Sequence, residues 1–122
     1  MERVGFYDYS LKKITVVFDE IVFTIDDDDV YEIRCSNFIG LNYLGQWDEN
    51  IISEIEISES DLCINQCLDI IVKNNDVKYK EGVKNFDFNW KCLKIKLIDD
   101  VVIKVVCEKI EFVKISEKKN FI

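Results

Sequence analysis

Apolar and polar residues alternate along most of this chain. From Leu11 onward Ile14, Val16 and Phe18 fall on one face and Lys13, Thr15 and Val17 on the other; after Asp19-Glu20 the alternation resumes through Ile21, Phe23 and Ile25. A period of two marks a strand with one buried face, so these runs predict a hairpin. The run Asp26-Asp27-Asp28-Asp29 is too polar to continue a strand and predicts a turn. Beyond it Tyr31, Ile33 and Cys35 alternate with Glu32, Arg34 and Ser36, extending the hairpin to a three-strand meander. Between Asn37 and Asn50 the signal disappears, and Gly40 and Gly45 stand beside Tyr43 and Trp47, which predicts a loop or an irregular edge. Alternation returns over 51–57 as a fourth strand.

The period then changes. Ile64, Cys67, Leu68, Ile71 and Val72 recur at helical spacing behind Ser58 or Ser60 as N-cap, with Asp61 completing a weak capping box from Ser58. A helix near 60–73 follows, although 68–73 also reads as a strand. Residues 74–85 are polar and read as a connector. In the last third Leu93, Ile95 and Leu97 alternate with lysines, Asp99-Asp100 turns the chain, and Ile103 and Val105 return. A final strand spans 110–115, its register shifting between Phe112 and Val113 as at a bulge, and the tail from 117 to 120 is expected to fray. The whole predicts a single domain, 1–122, of mainly β (β-rich α+β) class: an antiparallel sandwich or partly open barrel of about seven or eight strands with one helix.

Composition narrows the chemistry more than the fold. With 122 residues, 48% of them hydrophobic, the chain can fill one core. It has no proline, which leaves edge strands to charge and bulges for protection; the 51–57 edge is open to pairing across a two-fold axis. It has no histidine, which removes the commonest acid-base group and metal ligand. A net charge of -8 repels nucleic acid and anionic membranes and favours a basic protein partner. Five cysteines, mostly in apolar segments, read as reduced core thiols. The start, Met1-Glu2-Arg3-Val4, lacks the apolar stretch of a secretory signal, and no apolar run is long enough to cross a bilayer, so a cytoplasmic location is expected.

Each candidate for chemistry has a structural alternative. The carboxylates of Asp26, Asp27, Asp28 and Asp29 suit a hard cation, but the alternating acids and central glycine of an EF-hand are missing, which favours a solvated turn able to attract a basic partner. Cys63 and Cys67 share a helical face, yet a zinc site needs two further ligands, so they read as structural thiols. The four glycines are scattered, so there is no phosphate loop, no cofactor is implied, and no carboxylate pair stands out for catalysis. Aromatics in the glycine-bearing stretch 38–47 offer rigid contact area, with Tyr43 and Trp47 either reaching a partner or folding back to cap an open end of the sheet. The expected partner-binding residues are therefore Asp26, Asp27, Asp28, Asp29, Tyr43 and Trp47, with no catalytic or metal residues and no enzymatic activity.

The segment Phe6-Tyr7-Asp8-Tyr9-Ser10-Leu11-Lys12-Lys13-Ile14 resembles the opening of a loosely defined group of small bacterial β-rich proteins that begin with an aromatic or Leu, then His-Asp, then a strand. Asn37-Phe38-Ile39-Gly40, the Trp47 region leading into 51–57, and the hairpin over 93–113 are similar to that group's later segments. Tyr7 replaces the histidine here, so no His-Asp chemistry carries over, and Asp8 reads as the cap of a turn. Some members look like immunity proteins, which bind and neutralise a toxin. The resemblance implies an immunity-type inhibitor, and the acidic and aromatic surface by itself predicts a cytoplasmic, non-enzymatic protein-binding domain; the alternatives are a small-ligand-binding barrel or sandwich, a carboxylate-dependent enzyme, and a structural protein that self-associates as a homodimer.

Overall fold

In the computed structural model, which describes residues 2–44, 50–75 and 89–117, the predicted strands assemble into one antiparallel sheet. The strands are β1 (Glu2–Val4), β2 (Ser10–Val17), β3 (Glu20–Asp26), β4 (Asp29–Leu44), β5 (Ile52–Ser58), β6 (Lys91–Leu97) and β7 (Val102–Glu117), with one helix, α1 (Leu62–Asn75), between β5 and β6. Their order in the sheet is β1-β5-β6-β7-β4-β3-β2.

The two 16-residue strands β4 and β7 form the spine. The first part of β4 pairs with β3 as far as Ser36, opposite Glu20, and the early part of β7 pairs with β6 as far as Cys107, opposite Lys91. The sheet thus divides into two half-sheets that share β4 and β7: β2-β3-β4-β7 on one side, and β4-β7-β6-β5-β1 on the other. The boundary is a β-bulge, where the β4–β7 register slips between Phe38 and Gly40, and Asn37 takes a left-handed φ of 53°. A bulge bends and twists its strand, which folds one half over the other.

The curled sheet brings its ends together over a short stretch. Ser10 bridges Ile51, the Asp8 N–H donates to the Ile52 carbonyl at 2.9 Å, the Ile52 N–H to Tyr9 at 2.8 Å, and the Leu11 N–H to Asn50 at 2.7 Å. The architecture is a partly open barrel of the predicted class. Alternation places Leu11, Ile21, Phe23, Ile25, Ile33 and Cys35 of one half against Ile52, Ile55, Leu93, Ile95, Leu97, Ile103, Val105 and Cys107 of the other. All are essentially out of water. Burial of each larger aliphatic or aromatic side chain contributes about 1.5–3 kcal/mol, so this layer is the main source of stability.

One end of the barrel is closed by aromatic rings. Phe6 and Asp8 adopt left-handed φ of 76° and 72°, so the chain between β1 and β2 folds inward. There the Phe6 ring stacks on Phe112 at 5.6 Å and meets Tyr31 and Tyr9 edge-on at 4.9 and 5.1 Å. These are the offset and T-shaped arrangements that ring quadrupoles favour.

Several expectations change. Of the two readings of 37–50, the irregular edge is the one found as far as Leu44: β4 runs on past a bulge that shifts its alternation without ending its pairing. The strands expected at 103–105 and 110–115 are one strand, β7, and its slip lies opposite Val30/Tyr31, beyond Phe112/Val113. The 51–57 edge is not open, since β1 covers one side of β5 and β6 the other. Phe18, placed by alternation on the face of Ile14 and Val16, lies in the β2–β3 turn, fully exposed. The helix begins after Asp61, which is itself the cap, while Ser58 accepts the Ser60 N–H outside it. The expected connector over 74–85 and the tail fall largely outside the described residues.

Candidate partner-binding site

Beyond Phe38, β4 keeps β7 on one side, and no described strand lies on its other side. The helix α1 stands over that half of β4. Its N-terminus is set by Asp61, whose carboxylate accepts the Cys63 N–H at 2.8 Å and whose carbonyl accepts the Ile64 N–H at 3.0 Å. The same carboxylate holds the Lys104 ammonium of β7 at 3.2 Å, tying the helix start to the sheet. Burial would raise the Asp61 pKa; the Cys63 N–H, then Lys104 and Lys94, outweigh it and hold the carboxyl below its ordinary 3.8.

From that start, Cys63, Ile64, Cys67 and Leu68 fall on one helical face and pack against Ile39, Trp90, Cys92 and Val106 on the outer side of the sheet. This is the predicted apolar face as far as Leu68. The approach is closest at Gly40: a Cβ there would collide with the Cys67 sulfur. Glycine at this position is a packing requirement, and its φ is not in the left-handed region.

Between α1 and the open side of β4 runs a groove of about 380 Å³. Its floor is Ile39, Gly40 and Leu41 and its helical wall is Cys67 and Ile70, with Asn42 and Gln66 supplying polar groups. Leu41 pairs with Val105 and so faces the inner side of the sheet, yet it is 42% exposed. The Cys67 thiol of the helical wall is neutral at physiological pH. Burial, then the neighbouring Cys63, pushes Cys67 up to about 11, and burial followed by Asp61 pushes Cys92 up to about 12. All five cysteines are free thiols, four of them buried. In the core the Cys35 pKa is raised by its hydrogen bond with Cys107 and by burial. Among the described residues no group of three or more cysteines and carboxylates is placed to hold a metal ion.

The expected partner-binding residues divide between two places. Asp26 ends β3, Asp27 and Asp28 form the turn, and Asp29 opens β4, so the acidic run is the predicted turn. Lys12 lies 3.9 Å from Asp26 and Lys114 3.8 Å from Asp29, while Asp27 and Asp28 are exposed. The turn borders the aromatic plug: burial, then Asp29 and Tyr31, then Asp27 and Asp28, raise the Tyr9 pKa above 10.0. Tyr43 lies near the other end of β4, opposite Ile103 and next to the groove residue Asn42. Trp47 lies outside the described residues. The acidic turn and Tyr43 therefore stand at opposite ends of the 16-residue strand β4, on either side of its bulge at Phe38 to Gly40.

Sequence reasoning missed the helical wall of this site. Gln66 and Ile70 stand one helical turn apart, a spacing that marks a common face, but only the fold reveals that this face borders β4. No helix among the described residues is long and apolar enough to cross a membrane. Comparison of the chain with protein-family models, curated proteins and solved structures finds no match.

Proposed function

We propose that this chain is a non-enzymatic protein-binding domain, of the immunity-inhibitor kind, which works in the cytoplasm and takes an extended segment of a basic protein partner into the groove between β4 and α1. The observation that carries this reading is the conjunction of an open strand side with an apolar helical wall. A partner strand can pair with the backbone of such an edge while alternate side chains enter the groove, the mode known as β-augmentation. The net charge of -8 supplies the preference for a basic partner and speeds its approach. Tyr43 follows the groove residue Asn42 along β4, and the acidic turn at 26–29 contributes long-range attraction without sharing the contact.

The test is affinity capture from the native lysate at low and high salt, using the natural chain beside Leu41→Asp and Ile70→Asp. Both positions are exposed, so the fold should persist. One basic protein held stoichiometrically by the natural chain, lost in high salt and lost with either variant, supports the reading. Capture that survives both substitutions rejects the groove, and the absence of any captured protein counts against the binding function itself.

A further inference from the structure

The strand β2 has a second open edge, with a different character. β3 pairs with it throughout, but on its other side contact ends at Ser10 and Leu11; from Lys12 to Val17 no described strand lies there. An unpaired edge is a template for another strand, and natural proteins usually blunt it with charge, proline or a bulge. The slip between Leu11 and Lys13 disrupts only its start. Beyond it come Ile14, Thr15, Val16 and Val17, four consecutive β-branched residues without charge.

The end of this hairpin is costly as it stands. Phe18 is 97% exposed, with Val16 at 56% and Val17 at 54%. Phe18 also carries a left-handed φ of 32° at the first central position of a two-residue turn, where the primed hairpin turns favour glycine. A bulky aromatic held in a disfavoured conformation and contributing almost no burial points to a contact outside this copy of the chain.

The charges indicate what that contact is. Along the hairpin run two lysines, Lys12 and Lys13, then the apolar stretch, then Asp19 and Glu20. Paired in parallel, two such edges would set like charges side by side. Paired antiparallel about a two-fold axis near Thr15 and Val16, Lys12 and Lys13 of one copy stand beside the Phe18-Asp19 turn of the other, twice over, while Glu20, opposite Val17 on β3, adds negative charge one strand away. The edge is self-complementary, as an isologous interface requires. We infer that this protein forms a homodimer by antiparallel β2–β2 pairing across a two-fold axis, with Thr15 and Val16 at its centre, Val17 and Phe18 covered on either side of it and lysine–Asp19 pairs at its rims. The β4–α1 groove belongs to the other half-sheet and is not needed for this contact. Lys12 must exchange part of its weak contact with Asp26, at 3.9 Å, for the new pair.

The experiment is sedimentation velocity on the full chain from micromolar to near-millimolar concentration, at low and high salt. Lys13→Glu, Asp19→Lys, an equimolar mixture of the two, and Phe18→Gly are run alongside, with circular dichroism to verify folding. A reversible dimer of the natural chain is expected, weakened by salt. Each charge variant alone should raise the dissociation constant at least tenfold. Their mixture should restore association, because each variant then meets an opposite charge at both rims. Phe18→Gly should fold at least as well as the natural chain and dimerise less. A natural chain that stays monomeric throughout overturns the proposal, as does a dimer indifferent to Lys13 and Asp19. Failure of the mixture to recover rejects the antiparallel register. None of these outcomes bears on capture of a partner by the groove, so the two readings fail separately.

Discussion

The two ends of β4 differ in how completely the fold covers one and the same strand. Near Asp29 it lies between β3 and β7, beneath the rings of Phe6, Tyr9, Tyr31 and Phe112. Past Gly40 it has β7 alone beside it among the described strands, and α1 leans on it from outside. The difference arises at the bulge, where β3 ends and the register slips. At the first end the inward residues are sealed; at the second Leu41, on the inward face, remains in contact with water. Burial on both sides makes the first end stable. Burial is incomplete at the second.

The largest contrast should appear on truncating one apolar side chain at each end. Phe6→Ala removes the ring that three others touch and is expected to cost about 2–4 kcal/mol, toward the lower part of the range for buried aromatics because Phe6 is only partly buried. Leu41→Ala should cost less than about 1 kcal/mol. Urea unfolding of both variants measures the difference, and equal losses would mean that the two ends are equally packed.

A smaller effect tests the contact that sets the groove floor. Gly40→Ala forces a methyl group into the Cys67 sulfur and should destabilise by about 1–3 kcal/mol. In a Cys67→Ala background most of that loss should vanish, and a double-mutant cycle by denaturant unfolding would show the coupling. Additive losses would place the strain elsewhere than between β4 and α1.

The mildest prediction concerns the anchor of α1. Asp61→Ala should cost about 1 kcal/mol at neutral pH through loss of the cap. Because the folded pKa of Asp61 lies below its ordinary 3.8, its charge contributes stability above that value, and the contribution is lost as pH falls through the lower folded value. Thermal unfolding between neutral and strongly acid pH should therefore show the variant losing less stability on acidification than the natural chain. Parallel pH profiles would remove Asp61 as an ionised cap.

Much of the fold is legible in residue order wherever one periodicity persists. Ile21, Phe23 and Ile25 face the core as alternation requires, the four aspartates turn the chain, and Ile64, Cys67 and Leu68 share a buried helical face. The reading fails where geometry interrupts the period. Asn37 at positive φ and the slip before Gly40 throw the later residues of β4 out of phase, so residue order alone does not separate an irregular edge strand from a loop there. The three-residue strand β1 is too short to carry a period at all. Phe18 continues the alternation in sequence but sits at the turn, and alternation has no knowledge of where a strand stops. The stretch around Tyr43 stood out for its glycines and aromatics; its partner wall on α1 did not, because nothing local connects Ile70 to Leu41.

By itself, the sequence determined most of the inward face of the strands, where the first hairpin and the acidic turn fall, and the absence of histidine, since these depend on composition and on neighbours a few positions away. Only the tertiary structure decided which strand edges stay open, that the acidic turn and Tyr43 lie at opposite ends of one strand, and that α1 meets β4 at Gly40. Those outcomes depend on pairing between distant segments, where one slipped residue re-aims a whole strand, and so they exist only once the sheet has closed on its core.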